Sequence, residues 1–155
     1  MNKIDISVSH EIKIAVDLQG ETAVWINERN IAKEVDKRII SLSVAQNAVV
    51  VVIDDLDLHQ KSVADSYCEN KIGNILAFNL QGKKLWRIDD LVDSLHFPFS
   101  GGHLATIQNR NFYSKWYGIH FDVDHEYYIG VNCADEHYLI DLTDGVYVSK
   151  MAFRS

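Results

Sequence analysis

From residue 11 to residue 18 the chain alternates: Ile12, Ile14, Val16 and Leu18 share one parity, while Glu11, Lys13 and Asp17 hold the other. Period two commits a segment to a β-strand with one face in a core. The pattern recurs between short turns that carry Gly or Asn beside a polar residue, the chemistry of tight hairpins. Gln19-Gly20 joins 11–18 to 22–27, and Gln46-Asn47 joins 37–45 to 48–54. Gln81-Gly82 joins 74–80 to 83–88, and Asp144-Gly145 joins 137–142 to 146–150. A further hairpin is read over 117–124 and 126–132. The run Val49-Val50-Val51-Val52-Ile53 is apolar at every position, so its strand is expected to be central and covered on both faces. Helical signal is confined to one or two turns within 27–36 and a short helix over 89–95, with acids at its start. Segments 56–71 and 96–112 read as long irregular stretches; the second holds Pro98 and Gly101-Gly102.

The expected fold class is all-β, mainly antiparallel hairpins in a meander, partial-propeller-like or a twisted sandwich, with at most short helices. One β-rich domain over 1–155 suits the length. An internal echo favours the propeller-like version. Ala15-Val16-Asp17-Leu18-Gln19-Gly20 resembles Ala77-Phe78-Asn79-Leu80-Gln81-Gly82, with Trp25 and Trp86 on the return strands, and Leu139 to Gly145 is a looser third copy. Two or three such units fall short of the ~160 residues of a four-bladed ring at ~40 per blade.

Charge is lopsided. Between Trp116 and Ser149 there is no Lys or Arg, but there are Asp122, Asp124, Glu126, Asp135, Glu136, Asp141 and Asp144. These seven acids equal the net charge of −7. Such a balance argues against nucleic acid held through its phosphates and for a basic protein partner drawn in by the field. Tyr128 and Tyr147, interleaved with these acids, are the expected contact anchors. No apolar run approaches the ~18–20 residues of a membrane helix, so no membrane association is expected. The N-terminus has no secretory pattern, and Cys68 and Cys133 form no CxxC pair. A cytoplasmic protein with reduced thiols is expected.

No catalytic signature stands out, and no cofactor or metal is expected. On a strand, His120, Asp122 and Asp124 would share a face, but same-face neighbours ~6.5–7 Å apart rarely converge on one ion. A metal-dependent hydrolase using His120, Asp122 and His125 is the alternative from another class. Asp54-Asp55-Leu56-Asp57-Leu58 lacks the Gly and terminal Glu of an EF-hand, and Ser100-Gly101-Gly102-His103 lacks the Lys of a phosphate loop. Neither Cys68 nor Cys133 has local support as a nucleophile among the seven histidines.

The stretch from Asn74-Ile75-Leu76-Ala77-Phe78-Asn79-Leu80-Gln81-Gly82 through Lys83-Lys84-Leu85-Trp86-Arg87-Ile88-Asp89-Asp90 resembles a hairpin of small bacterial toxin–immunity proteins. The whole chain most resembles immunity proteins of contact-dependent growth inhibition systems. The resemblance implies a cytoplasmic, non-enzymatic toxin inhibitor, a monomer in a 1:1 complex. It would bind a cognate basic toxin domain, a nuclease with RNase favoured, and cover its active site. It carries over no catalytic residues. The expected toxin-binding surface is Asp122, Asp124, Glu126, Tyr128, Asp135, Glu136, Asp141, Asp144 and Tyr147. A propeller-like protein-binding adaptor is the remaining alternative.

Overall fold

A computed structural model describes residues 3–7, 12–17, 22–31, 35, 38–54, 74–92, 99–132 and 135–152. The Gln19-Gly20 turn, segment 56–71, Asp55, Asp93, Pro98, both cysteines, His10, His59 and His96 lie outside these. The described residues form an all-β body with two helices. The first sheet is β1 (Lys3–Ser7), β2 (Ile12–Asp17), β3 (Thr22–Ile26) and β4 (Arg29–Asn30). The second is β5 (Arg38–Val44), β6 (Val49–Asp54), β7 (Ile75–Phe78) and β8 (Lys84–Arg87), followed by helix α1 (Ile88–Leu91). The third is β9 (Phe99–Leu104), β10 (Tyr127–Asn132), β11 (Glu136–Asp141) and β12 (Val146–Ala152), with helix α2 (Ile107–Tyr117) between β9 and β10. Each sheet is an antiparallel meander whose strands lie in chain order.

Alternation decides how the sheets stack. On β6, Val50 and Val52 point into a core shared with Tyr128, Tyr138 and Ile140 of the third sheet. Val49, Val51 and Ile53 point the other way, into a core shared with Val24 and Ile26 of the first. On β7, Ile75 and Ala77 join the first of these cores, and Leu76 and Phe78 the second. The second sheet is therefore the middle layer, as the unbroken Val run predicts. Each fully buried Val contributes on the order of 1.5–2 kcal/mol. Asn74 ties the layers together: its buried Nδ2 donates to the Ile53 carbonyl and, across to the third sheet, to the Phe99 carbonyl at 2.6 Å. Helix α2 covers the outer face of the third sheet, where Tyr113 packs with Tyr127, Ile129, Leu139 and Met151.

The echo has a partial structural basis. Its second and third copies occupy the same place, the turn from third to fourth strand of a meander. Asn79 Oδ1 accepts from the N–H groups of Gln81 and Lys83, and Asp141 Oδ1 from those of Thr143 and Asp144. Gly82 and Gly145 each take positive φ, which is why a glycine ends each turn. The first copy sits one strand earlier, between β2 and β3, so it does not mark the same position of the repeat.

Three expectations need correcting. Residues 117–124 are not a strand: α2 ends at Tyr117 and an irregular segment follows, so β10 pairs with β9 instead. Segment 96–112 is not irregular throughout, since it supplies β9 and most of α2. The helix start was legible, because Thr106 and Asn109 form a capping box. The Thr106 side chain accepts from Asn109 N–H, and the Asn109 side chain accepts from Thr106 N–H. At the other end Gly118 caps the helix at φ 66°. Replacing Thr106 with Ala should cost about 1 kcal/mol in chemical denaturation. Third, the helical turns read within 27–36 exclude its first residues, although Val35 is helical. Asn27 and Glu28, both at positive φ, make the two-residue turn of a β3–β4 hairpin. The Val35 N–H donating to the Ile31 carbonyl is the one helix-type bond there among the described residues.

Candidate functional site

The segment from Gly118 to Glu126 leaves α2 and enters β10, and its backbone is held on all sides. Ser114 Oγ donates to the Ile119 carbonyl at 2.7 Å, and the Asp122 N–H donates to the Tyr127 hydroxyl at 2.9 Å. Arg110 of α2 donates to the carbonyls of Asp122 and His125, and its guanidinium lies 5.0 Å from the Tyr127 ring centre. Asp124 N–H donates to the Asp122 side chain. At the far end the Glu126 N–H donates to Thr143 Oγ1, and Leu142 N–H to the Glu126 carbonyl. Glu126 Oε1 accepts from the Gln46 N–H at 2.7 Å and so links this loop to the second sheet. With so many backbone groups paired, the loop presents its side chains in fixed positions.

Five of the seven C-terminal acids gather at this end of the third sheet, and two do not. Asp122, Asp124 and Glu126 lie in the loop. Asp141 ends β11, and Asp144 sits in the β11–β12 turn beside them. Asp135 and Glu136 lie at the opposite end of β10 and β11, roughly 17 Å away along a six-residue strand. There Glu136 pairs with Lys150 at 3.0 Å and bonds Asn132, while Asp135 faces His137 at 3.3 Å. The seven acids, expected as neighbours on one sheet or along its rims, lie at the two ends of the third sheet as one main cluster and a separate, partly neutralised pair. The reason is the antiparallel meander, which returns the chain to the same end only at every second turn.

Two residues expected at the surface are in the core. Tyr128 is 0% exposed, and burial holds its hydroxyl well above its ordinary pKa. Asp141 is 6% exposed. Its Oδ1 takes two backbone N–H groups of the turn, and its Oδ2 lies 2.7 Å from His125 Nδ1. That hydrogen bond, aided by nearby Asp122 and Asp144, raises the His125 pKa above its ordinary value despite opposing desolvation. Tyr147 is half-buried, edge-on to Tyr138 at 6.3 Å. His120 is exposed, and the side chains that converge are His125, Asp141 and Asp144, so the proposed His120–Asp122–His125 set is not the one brought together.

Among the described residues, the exposed aromatics lie on α2. Phe112, Trp116 and Tyr117 form one cluster, with ring centres 6.4 Å apart from Phe112 to each of the others. Trp116 is 65% exposed and Lys115 lies 5.5 Å from its ring centre. Ile107 and Val123 are exposed as well, Val123 at 90%. The alternating apolar positions of the stretch read as a strand over 117–124, Tyr117, Ile119, Phe121 and Val123, are divided. Ile119 and Phe121 pack under α2, while Tyr117 and Val123 face outward. The i, i+4 and i, i+5 spacing of Phe112, Trp116 and Tyr117 was the available signal, masked by reading the region as loop and strand.

A second polar group lies where α2 meets the other end of the sheet. The Tyr113 hydroxyl is 3.0 Å from His137 Nδ1. Burial, and secondarily the neighbouring His137, lowers the His103 pKa. A lowered histidine favours the neutral form in the fold, so its stabilisation is present above pH ~6.5 and is lost as pH falls through the folded pKa. Between pH 7 and pH 5 the thermal midpoint of the native chain should therefore fall further than that of His103→Asn. Equal falls would remove His103 from the account.

No helix among the described residues is long and apolar enough to cross a membrane. No family model, curated protein or solved structure matches the chain.

Proposed function

We propose that this chain is an immunity protein of a bacterial contact-dependent growth inhibition system. In the cytoplasm it binds a cognate basic toxin domain, a nuclease with RNase favoured, as a monomer in a 1:1 complex, and covers its active site. The observation that carries the reading is the rigid loop 118–126 beside α2. It bears the exposed carboxylates of Asp122 and Asp124, with that of Asp144 in the adjoining turn, and the helix it leaves bears the exposed rings of Phe112, Trp116 and Tyr117. Aromatic anchors within a charged rim are the usual anatomy of a specific protein interface. A phosphate-binding toxin carries basic groups around its catalytic centre, and an anionic rim speeds its capture.

The anchors of this reading are the α2 aromatics in place of Tyr128 and Tyr147, the second of which packs on the face of the sheet opposite α2. Titrating the chain with the toxin domain encoded by the neighbouring gene tests it. Nanomolar affinity, association that slows as salt rises, and loss of toxin activity in the complex are expected. No binding would end the proposal. The three stacked meanders also suit a propeller-like adaptor, which would lack a toxin gene beside it.

A further inference from the structure

One imidazole at the acidic end of the third sheet stands among three carboxylates. His125 Nδ1 lies 2.7 Å from Asp141 Oδ2 and 3.7 Å from Asp144 Oδ2, and its Nε2 lies 3.5 Å from Asp122 Oδ2. Candidate donor atoms of His125, Asp141 and Asp144 all lie within 4.8 Å of one another. Donors bound at ~2.0–2.2 Å to one transition cation stand roughly 3–4 Å apart, so this trio needs little movement to close on an ion. The nearby Arg110 gives its hydrogen bonds to backbone carbonyls and not to these carboxylates.

We infer that His125, Asp141 and Asp144 form a binding site for a divalent first-row transition cation of the zinc type. Each ligand is fixed by something else. Asp141 has its Oδ1 held by the Thr143 and Asp144 N–H groups, which leaves Oδ2 directed at the site. Asp122 faces the far nitrogen of the His125 ring, the position from which an outer carboxylate orients a ligating imidazole. Asp144 stands on the solvent side, 59% exposed, and leaves room for water to complete the shell. One imidazole nitrogen with carboxylate oxygens suits Zn2+ better than Ca2+, which takes an all-oxygen shell. The site differs from the sequence-level set, because the end of β11 and the turn after it supply two of its three ligands. It goes beyond the partner-binding reading and is measured without a partner, so either can fail alone.

The test is calorimetric titration of the metal-stripped full chain with Zn2+, with Ca2+ as the contrast. One equivalent of Zn2+ should bind with micromolar affinity or better, and Ca2+ at least tenfold more weakly. Asp144→Asn should weaken Zn2+ at least tenfold without changing the metal-free circular dichroism spectrum. Loading with Co2+ should show no thiolate charge-transfer band, which separates this site from one built on Cys68 or Cys133. Absent saturable binding at millimolar Zn2+, equal affinity for Ca2+, unchanged affinity in Asp144→Asn, or a thiolate band would each overturn the inference.

Discussion

Gly102→Ala is expected to destabilise the fold by about 2–3 kcal/mol, while Gly101→Ala, one residue away, stays within about 0.5 kcal/mol of the native chain. The two glycines are neighbours on β9 and point to opposite faces. A Cβ on Gly102 would collide with the Tyr128 hydroxyl and meet its ring carbons at 2.6 Å, whereas one on Gly101 meets nothing within 4 Å. Tyr128 cannot retreat, since it is wholly buried between the second and third sheets. Gly102 also pairs directly with Gly130, over which Phe99 lies at 2.9 Å from the would-be Cβ. The glycine pair is thus the floor on which two core rings rest. In a domain of this size the cost should lower the thermal midpoint by roughly 5–10 °C. Tyr128→Phe refines the test. The Tyr128 hydroxyl is buried without a hydrogen-bond partner. Its removal should therefore be neutral or stabilising in the native background, and it should recover part of the loss in Gly102→Ala. Equal stabilities for Gly101→Ala and Gly102→Ala would refute this account of the core.

Trp116→Ala is expected to raise the dissociation constant for the cognate toxin about 30-fold or more, the ~2 kcal/mol that marks a hot-spot residue. Its large ring is the most exposed of the α2 cluster, and since it holds up no core, the thermal midpoint should hardly change. Reversing Asp122 and Asp124 to Lys should act differently. Rim charges steer the encounter, so association at low salt should slow about tenfold and the difference should shrink as salt is added. Tyr128→Phe should leave affinity unchanged, since no partner reaches a buried ring. Surface plasmon resonance over a salt series separates these outcomes. If Trp116→Ala binds as tightly as the native chain, the interface lies elsewhere.

Much of the architecture was legible in the residues because it is local. Alternation on β2, the unbroken apolar run on β6, and polar-Gly pairs at 81–82 and 144–145 follow from strand pleat, from cover on both faces and from the turn's need for positive φ. Four of the five hairpins read from the sequence are present, and the Val49–Ile53 strand lies between two layers. The failures cluster between residues 96 and 126. Gly101-Gly102 read as loop because glycine has poor intrinsic strand preference. It is a strand paired with β10, where Tyr128 fills the space that a Gly102 side chain would take. Alternation over 117–124 imitated a strand, but the Thr106–Asn109 box and Gly118 had already set a helix whose last turn consumes Tyr117.

The site was legible as composition and not as geometry. The sequence by itself determined that the C-terminal third is anionic, that the chain folds as antiparallel hairpins and that the Val49–Ile53 strand is covered on both faces. These depend only on charge count, on period and on turn chemistry. Only the tertiary structure decided that Asp141 and Tyr128 are interior, that Asp135 and Glu136 lie apart from the other acids, and that the α2 rings face outward. A residue's parity fixes which side of its strand it takes. Whether that side meets another sheet, a helix or water depends on what is stacked above it, and that is a property of the whole chain.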